Sequence, residues 1–167
     1  GSSPTDSSGR GPFQELDQLR MMEPCTKWSA RVHHPERMPE MLDKAVRMSM
    51  SGKPGPVYLD LPADVLLQDV DIDKVWFPPP IDFDIRSRPA LAAVDADNIV
   101  ALLAQAERPV IVSGGGIAWS SAEAEMQGFV EATGIPFYTT PQGRGAIAED
   151  HSLCLLNARA TAFREAD

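Results

Sequence analysis

Apolar positions at helical spacing predict two helices in the first third of the chain. The stronger pattern opens at Pro35-Glu36 and ends at Gly52, because glycine tolerates the positive φ that follows a helix. A shorter pattern predicts a helix over residues 13–22, which Pro24 ends because proline lacks an amide hydrogen. The stripe of the stronger helix consists of Met38, Met41, Leu42, Ala45, Val46 and Ser49.

Shorter apolar runs predict strands on either side of the stronger helix. Residues 26–32 alternate loosely between apolar and polar positions, which predicts a short strand. Val57-Tyr58-Leu59 is too apolar for an edge element, so it predicts a buried parallel strand.

Helices and strands alternate in the second half of the chain. Apolar runs over 109–112 and 135–140 predict two strands. Helical patterns predict one helix from residue 95 to about residue 106, one between the two strands, and one over 157–166. Strand–helix–strand units with short connections imply a parallel, doubly wound α/β sheet.

Residue types also predict the ends and faces of these helices. Asp95 and Ser121 are predicted to cap the first two, because their side chains accept hydrogen bonds from free amides. Gly134 is predicted to stop the second helix. Three residues of the first helix are predicted to face inward: Ile99, Leu102 and Leu103.

Residues 68–93 show no periodicity and are rich in acidic residues and proline. Pro78-Pro79-Pro80 favours an extended polyproline conformation. Because the stretch is longer than most loops within a domain, we predict an interdomain linker here. Its acidic positions lack the glycine and terminal glutamate of a calcium loop, so no metal site is predicted.

The composition excludes several classes of protein. Of 167 residues, 43% are hydrophobic, which is enough for a folded core. The net charge of −9 argues against nucleic-acid binding and against docking on anionic membranes. No apolar run approaches the roughly 20 residues of a membrane-spanning helix. Cys25 and Cys154 match no metal-ligand spacing and predict reduced thiols in a cytoplasmic protein.

Two glycine-rich loops follow the predicted strands of the second half. Gly114-Gly115-Gly116 lies between a strand and a helix, where backbone amides and the helix dipole favour an anion such as a diphosphate. Alternatively, the three glycines form a tight turn that binds no ligand, in which glycine is needed only for close packing. Thr139, Thr140 and Gln142 end the next strand. Because ligands of open α/β sheets bind outside the carboxyl ends of strands, we predict that both loops face one nucleotide site.

Five sequence boxes together resemble the acetolactate-synthase-like family of thiamine diphosphate enzymes. They occur in the family's order and approximate spacing, and they span nearly the whole chain. Five ordered boxes are far more specific than any one of them. They are Gly11-Pro12-Phe13-Gln14-Glu15, Thr26-Lys27-Trp28, Ser51 to Asp64, Arg108 to Ile111 with the triple glycine, and Ile135-Pro136 with the Thr-Thr loop.

The branch within this family stays open. Asn157-Ala158-Arg159 resembles the 2-hydroxyacyl-CoA lyase and oxalyl-CoA decarboxylase branch. Phe13-Gln14 instead resembles acetolactate synthases. Ala63 stands where acetolactate synthases often have lysine, which weakens that assignment.

The resemblance implies an α/β fold with two parts. Residues 1–67 would be the C-terminal part of the pyrimidine-binding thiamine diphosphate domain, and 68–93 the linker. Residues 94–167 would be part of the central nucleotide-binding-like domain, with its parallel doubly wound sheet. The whole enzyme would form a homodimer or homotetramer.

The resemblance also implies the chemistry. The whole enzyme would bind thiamine diphosphate and Mg²⁺, whose thiazolium ring is an electron sink for decarboxylation or C–C cleavage of a 2-oxo acid or a 2-hydroxyacyl-CoA. The family's activating glutamate and its Gly-Asp-Gly motif are not among these 167 residues. We therefore expect the isolated chain to be inactive.

Family roles can be assigned to particular residues by this resemblance. Phe13 would form an apolar wall of the reaction space, and Gln14 would donate a hydrogen bond there. Lys53 replaces a family arginine that reaches FAD or an ADP-containing nucleotide; lysine keeps the charge but loses the bidentate fork. The residues that match the central-domain nucleotide loops are Gly114, Gly115, Gly116, Thr139, Thr140 and Gln142.

Two other functions remain open from the residues alone. One is a non-catalytic nucleotide-binding module that uses the two glycine loops. The other is a structural α/β module that holds subunits together. Calorimetry with FAD, ADP and CoA would distinguish them.

Overall fold

A computed structural model of the chain divides into two compact units, Gly1–Ser87 and Arg88–Asp167. The structure describes residues 1–80 of the first unit and residues 90–167 of the second. Each unit is built around parallel strands with helices beside them. The predicted α/β class with parallel strands is therefore confirmed.

The first unit is built on a parallel pair of strands, β1 (Trp28–Arg31) and β2 (Val57–Asp60). The long helix α2 (Met38–Met50) connects them and packs on β2. Gly52 follows this helix with a φ of 54°, which confirms the predicted stop. The remaining elements are α1 (Gln18–Met22), α3 (Ala63–Leu67) and 3₁₀ turns at Thr5–Ser7, Glu23–Cys25, Pro35–Arg37 and Ile72–Lys74.

The start of the chain also joins this first unit. Ser2 forms a parallel bridge with Pro62, just after β2. Its amide donates to the Leu61 carbonyl at 3.2 Å, and its carbonyl accepts from the Ala63 amide at 3.1 Å. The first residues are therefore fixed to the start of α3.

The helix predicted over residues 13–22 is only half its expected length. It begins at Gln18, because the Asp17 carboxylate accepts from the Arg20 amide at 3.2 Å and so caps the helix. The position of the capping carboxylate, and not the apolar spacing, therefore determines where α1 begins.

The segment ahead of α1 folds into turns. The Glu15 carboxylate accepts hydrogen bonds from the amides of Gly9 and Gly11. Gln14 has a φ of 65°, a left-handed conformation that a helix does not contain. The Phe13 side chain is 87% exposed. Local side-chain bonds to the backbone therefore override the helical pattern here.

The second unit contains the parallel pair β3 (Ile111–Ser113) and β4 (Phe137–Thr139). Along its other edge, β4 pairs with residues 153–155, since the Phe137 amide donates to the Leu153 carbonyl at 2.9 Å. Val130, Phe137 and Ile147 form the buried core of this unit. Its helices are α4 (Ala93–Gln105), α5 (Gly116–Ser120), α6 (Glu123–Thr133) and α7 (Arg159–Glu165).

Two predicted helix caps are wrong. The N-cap residue of α4 is Ala92, and Asp95 lies in the first turn, where its charge suits the helix dipole. Ser121 ends α5 in a left-handed conformation, and Ala122 is the N-cap residue of α6. Gly134 does end α6, with a φ of 66°, as predicted.

The predicted inward face of α4 is wrong in part. Ile99 and Leu102 are exposed, Leu102 by 69%, and only Leu103 is partly buried. The apolar residues of this helix surround it instead of forming one stripe, so periodicity alone does not define a buried face.

The predicted linker, residues 68–93, is described only in part, because residues 81–89 lie outside the described residues. Its described residues contain one 3₁₀ turn, and α4 begins at its last residue. The domain boundaries therefore stay a prediction. Over residues 1–80 and 90–167, none of the helices has the length and apolarity to cross a membrane.

Candidate functional site

The two glycine-rich loops of the second unit lie side by side. The Thr140 amide donates to the Ser113 carbonyl at 2.9 Å, which ties the ends of β3 and β4 together. The Gly143 amide then donates to the Thr140 carbonyl at 2.9 Å and turns the second loop back. The carboxyl ends of both strands therefore meet at one edge of the sheet.

Close backbone approach explains two glycines in these loops. A Cβ on Gly143 would lie 2.3 Å from the Ser113 carbonyl oxygen, so no larger residue fits there unless the backbone moves. A Cβ on Gly115 would lie 3.2 Å from both the Cβ and the carbonyl oxygen of Gln142. By contrast, a Cβ on Gly116 would meet open space, which leaves that backbone accessible to a ligand.

Polar side chains support the loops from beneath. Ser113 is 3% exposed, and its Oγ has no hydrogen-bond partner among the described residues. The buried Thr139 hydroxyl donates to Glu149 Oε1 at 3.5 Å. Arg144 Nε lies 3.4 Å from the same oxygen, although most of the Arg144 side chain is exposed. A carboxylate therefore links the end of β4 to the second loop.

Sequence reasoning predicted six cofactor-binding residues at this edge of the sheet. The structure brings together the predicted residues Gly114, Gly115, Gly116, Thr139, Thr140 and Gln142. It adds Ser113, Gly143 and Glu149. The first two directly adjoin predicted positions and could have been included on that ground, whereas Glu149 carries no local signal.

The other predicted site residues lie in the first unit. Phe13 and Gln14 are exposed in the turn ahead of α1. Lys53 is exposed in the turn between α2 and β2. Lys27 supports this turn, because its Nζ donates to the carbonyls of Met48, at 3.0 Å, and Ser51.

Comparison with known proteins gives the family of the chain. Residues 96–167 match the model of the thiamine pyrophosphate enzyme central domain. The whole chain is 35% identical to a 2-hydroxyacyl-CoA lyase of Arabidopsis thaliana, and 95% of it is 36% identical to an oxalyl-CoA decarboxylase of Escherichia coli K12. A probable acetolactate synthase large subunit of Methanocaldococcus jannaschii is 36% identical over 93% of the chain. The chain belongs to the thiamine pyrophosphate enzyme family.

The relatives of this thiamine pyrophosphate enzyme chain are much longer than the chain itself. It spans 30% of the Arabidopsis lyase, 28% of the decarboxylase and 26% of the Methanocaldococcus synthase. Identities of 35% and 36% to differently named enzymes do not separate the branches of the family. The family resemblance is thus confirmed, and the branch is still open.

The site lies wholly inside the part that matches the central domain. Its chemistry consists of backbone amides, hydroxyl groups, one amide side chain, one arginine and the Glu149 carboxylate paired with that arginine, where the carboxyl ends of the parallel strands meet. These groups can hold a polar, phosphate-bearing ligand but contain no activated nucleophile. Within residues 1–80 and 90–167, no group of three His, Cys, Asp or Glu residues could hold a metal ion.

Proposed function

We propose that this chain is part of a thiamine diphosphate-dependent enzyme that makes or breaks C–C bonds of 2-oxo acids or 2-hydroxyacyl-CoA thioesters. The observation that carries the proposal is similarity over nearly the whole chain to enzymes named as lyase, synthase, decarboxylase and carboligase. The central-domain match to residues 96–167 supports it independently. When bound, thiamine diphosphate supplies an electron sink for decarboxylation or C–C cleavage.

In the enzyme, this chain supplies the wall of the reaction space and a nucleotide site. Phe13, which is exposed in the first unit, covers the reacting atoms with an apolar ring. Gln14 donates a hydrogen bond from its side-chain amide, and its positive φ sets the direction of the turn that carries it. Mg²⁺ and the diphosphate of the cofactor are held by residues outside these 167.

The central-domain loops take FAD or an ADP-containing nucleotide. Gly116 leaves open space for a phosphate beside the backbone. The Thr140 hydroxyl lies next to Gly114, 3.8 Å from the position of a Cβ there. The buried Ser113 hydroxyl, which has no hydrogen-bond partner in the part of the chain that the structure describes, is a spare hydrogen-bonding group at the same strand end. Gln142 contributes an amide, and Thr139 supports the loop through Glu149.

The whole protein is a cytoplasmic homodimer or homotetramer. Cys25 and Cys154 are not joined in a disulfide, which accords with the cytoplasmic location that we propose. The oligomer follows from the family resemblance alone.

The nucleotide site is tested by calorimetry of the chain with FAD, ADP and CoA. We expect one of them to bind, and Gly116→Ala to weaken it about tenfold, because the methyl group fills the space that the phosphate needs. Gly128→Ala is the matched control, since Gly128 lies in α6 with nothing near its Cβ position. Equal binding by both variants would show that the loops are not the site.

The enzymatic proposal is tested separately on the longer protein that contains this chain. We expect thiamine diphosphate-dependent turnover of pyruvate, glyoxylate, oxalyl-CoA or a 2-hydroxyacyl-CoA. Nucleotide binding without any such turnover would instead favour the non-catalytic nucleotide-binding module. The absence of both nucleotide binding and turnover would favour the structural module.

A further inference from the structure

A small polar cavity of about 310 Å³ lies in the first unit, and Lys53 is not among its lining residues. Its walls are the first residues of the chain, the turn ahead of α1, and the end of β1. This volume is near the lower limit of the volumes found for ligand pockets, so the cavity suits a molecule of a few carbon atoms rather than a nucleotide. Arg31, Glu15 and Asp17 provide its charged side chains.

The walls of this cavity are held in place by hydrogen bonds. The Thr5 amide and hydroxyl both donate to the Asp64 carboxylate, which fixes the first wall to α3. The Glu15 carboxylate binds the amides of Gly9 and Gly11 and closes the second wall. The cavity is therefore a defined site and not a gap between loose segments.

Arg31 is oriented by a buried partner. Its Nε lies 2.5 Å from Asp60 Oδ2, and the Asp60 side chain is fully buried. Among the described residues, Arg31 forms an ion pair only with Asp60, through Nε, so its other N–H donors have no partner there. A guanidinium fixed in this way fits a carboxylate in bidentate fashion.

Two carboxylates face the same cavity. Glu15 and Asp17 are hydrogen-bonded to backbone amides, which leaves further acceptor positions on each oxygen. Their negative charge disfavours a dianion such as phosphate and suits an ammonium group. Arg31, whose charge Asp60 already balances, still offers N–H donors that a carboxylate can accept. A ligand with both signs of charge matches the lining best.

We infer that this cavity binds a small α-amino acid as its zwitterion, with the carboxylate on Arg31 and the ammonium group on Glu15 and Asp17. The hydroxyl groups of Ser3 and Ser8 in the wall accept or donate the remaining hydrogen bonds. None of its lining residues belongs to the nucleotide site, whereas the turn that forms one of its walls also carries Phe13 and Gln14.

The test is an NMR titration of the ¹⁵N-labelled chain with L-alanine. We expect alanine to shift the amide signals of Ser8, Leu16 and Arg31, which all line the cavity. Propionate and ethylamine, which each carry one of the two charges, should bind at least about tenfold more weakly. Equal binding of propionate and alanine would overturn the proposal, as would no shift with millimolar alanine.

Two substitutions test separately how the ammonium group and the carboxylate of the ligand are bound. Asp17→Asn should weaken alanine about tenfold, because it removes one charge facing the ammonium group, while asparagine still caps α1. Arg31→Lys keeps the charge opposite Asp60 but loses the fork, so it should weaken both alanine and propionate. Arg20→Gln is the control, since Arg20 is exposed on α1 and does not line the cavity. Unchanged alanine affinity in Asp17→Asn would refute the inference, even if Arg31→Lys does not fold.

Discussion

At the scale of single residues, the surroundings of Tyr58 on β2 shift the pKa of its phenol. Its hydroxyl donates to Gln18 Oε1 on α1. Burial raises the pKa of Tyr58 above its ordinary value of 10.0; the nearby Asp60 charge raises it further, and Arg31 opposes the change. The folded state therefore holds the neutral phenol.

The first prediction concerns stability at high pH. Because the folded pKa of Tyr58 is raised, the unfolded chain ionises first, and stability falls as the pH rises above about 10. Spectrophotometric titration should show that one of the two tyrosines ionises late. In Tyr58→Phe this late component should be absent. If it persists, it belongs to Tyr138 and the prediction is wrong.

A second prediction concerns Gly143, whose Cβ position lies 2.3 Å from the Ser113 carbonyl oxygen. Gly143→Ala should lower the free energy of unfolding of the second unit by about 1–3 kcal/mol, because the two loops must move apart. Hydrogen exchange at the β4 amides measures this loss. Gly128→Ala should instead leave exchange there unchanged or slower, since alanine favours the helix α6.

At the scale of elements, the end of α2 depends on a side chain from outside the helix. The Lys27 ammonium group binds the carbonyl of Met48, in the last turn of α2, and the carbonyl of Ser51, in the turn that follows. The aliphatic part of the Lys27 side chain lies against Gly55, 3.0 Å from the Cβ position there. The Lys27 amide also donates to the Pro56 carbonyl at 2.9 Å. One lysine thus joins the helix, the turn and β1.

The third prediction is that Lys27→Met destabilises the first unit by about 1 kcal/mol, because it loses these hydrogen bonds to carbonyls but keeps the packed stem. Urea unfolding of the chain measures the difference. Lys53→Met removes the same charge from an exposed position in the adjacent turn and should have little effect. Equal losses in both variants would indicate a general charge effect.

Elements with strong periodicity and a glycine stop could be predicted from the sequence, as α2 and the end of α6 show. The start of α1 could not, because it depends on the carboxylates of Glu15 and Asp17 and on a left-handed Gln14. The caps at Asp95 and Ser121 were wrong because a capping residue type also fits inside a first turn or at a helix end.

The candidate site could likewise be predicted from the sequence only in part. That both glycine loops lie at one sheet edge follows from parallel strand topology, so it could be predicted. The link from Thr139 through Glu149 to Arg144 could not, because it spans ten residues and depends on how the second loop folds back.

At the scale of the whole molecule, the chain spans less than a third of its similar relatives. The fourth prediction is that the 167-residue chain shows no activity with thiamine diphosphate and Mg²⁺. No Gly-Asp-Gly occurs among its residues, and the family resemblance implies that the activating glutamate is not among them either. Carbon dioxide release from pyruvate, or any C–C ligation product, by the purified chain would contradict this.

Both extremities of the chain take part in the folded units. Ser2 is bridged to Pro62, and the Asp167 carboxylate accepts from the amides of Glu107 and Arg108 at 2.7 and 2.9 Å, just ahead of β3. An affinity tag fused directly to either end would therefore start inside a hydrogen-bonded contact. Expression of this polypeptide calls for a flexible glycine–serine spacer before any tag, so that purification does not disturb the strands.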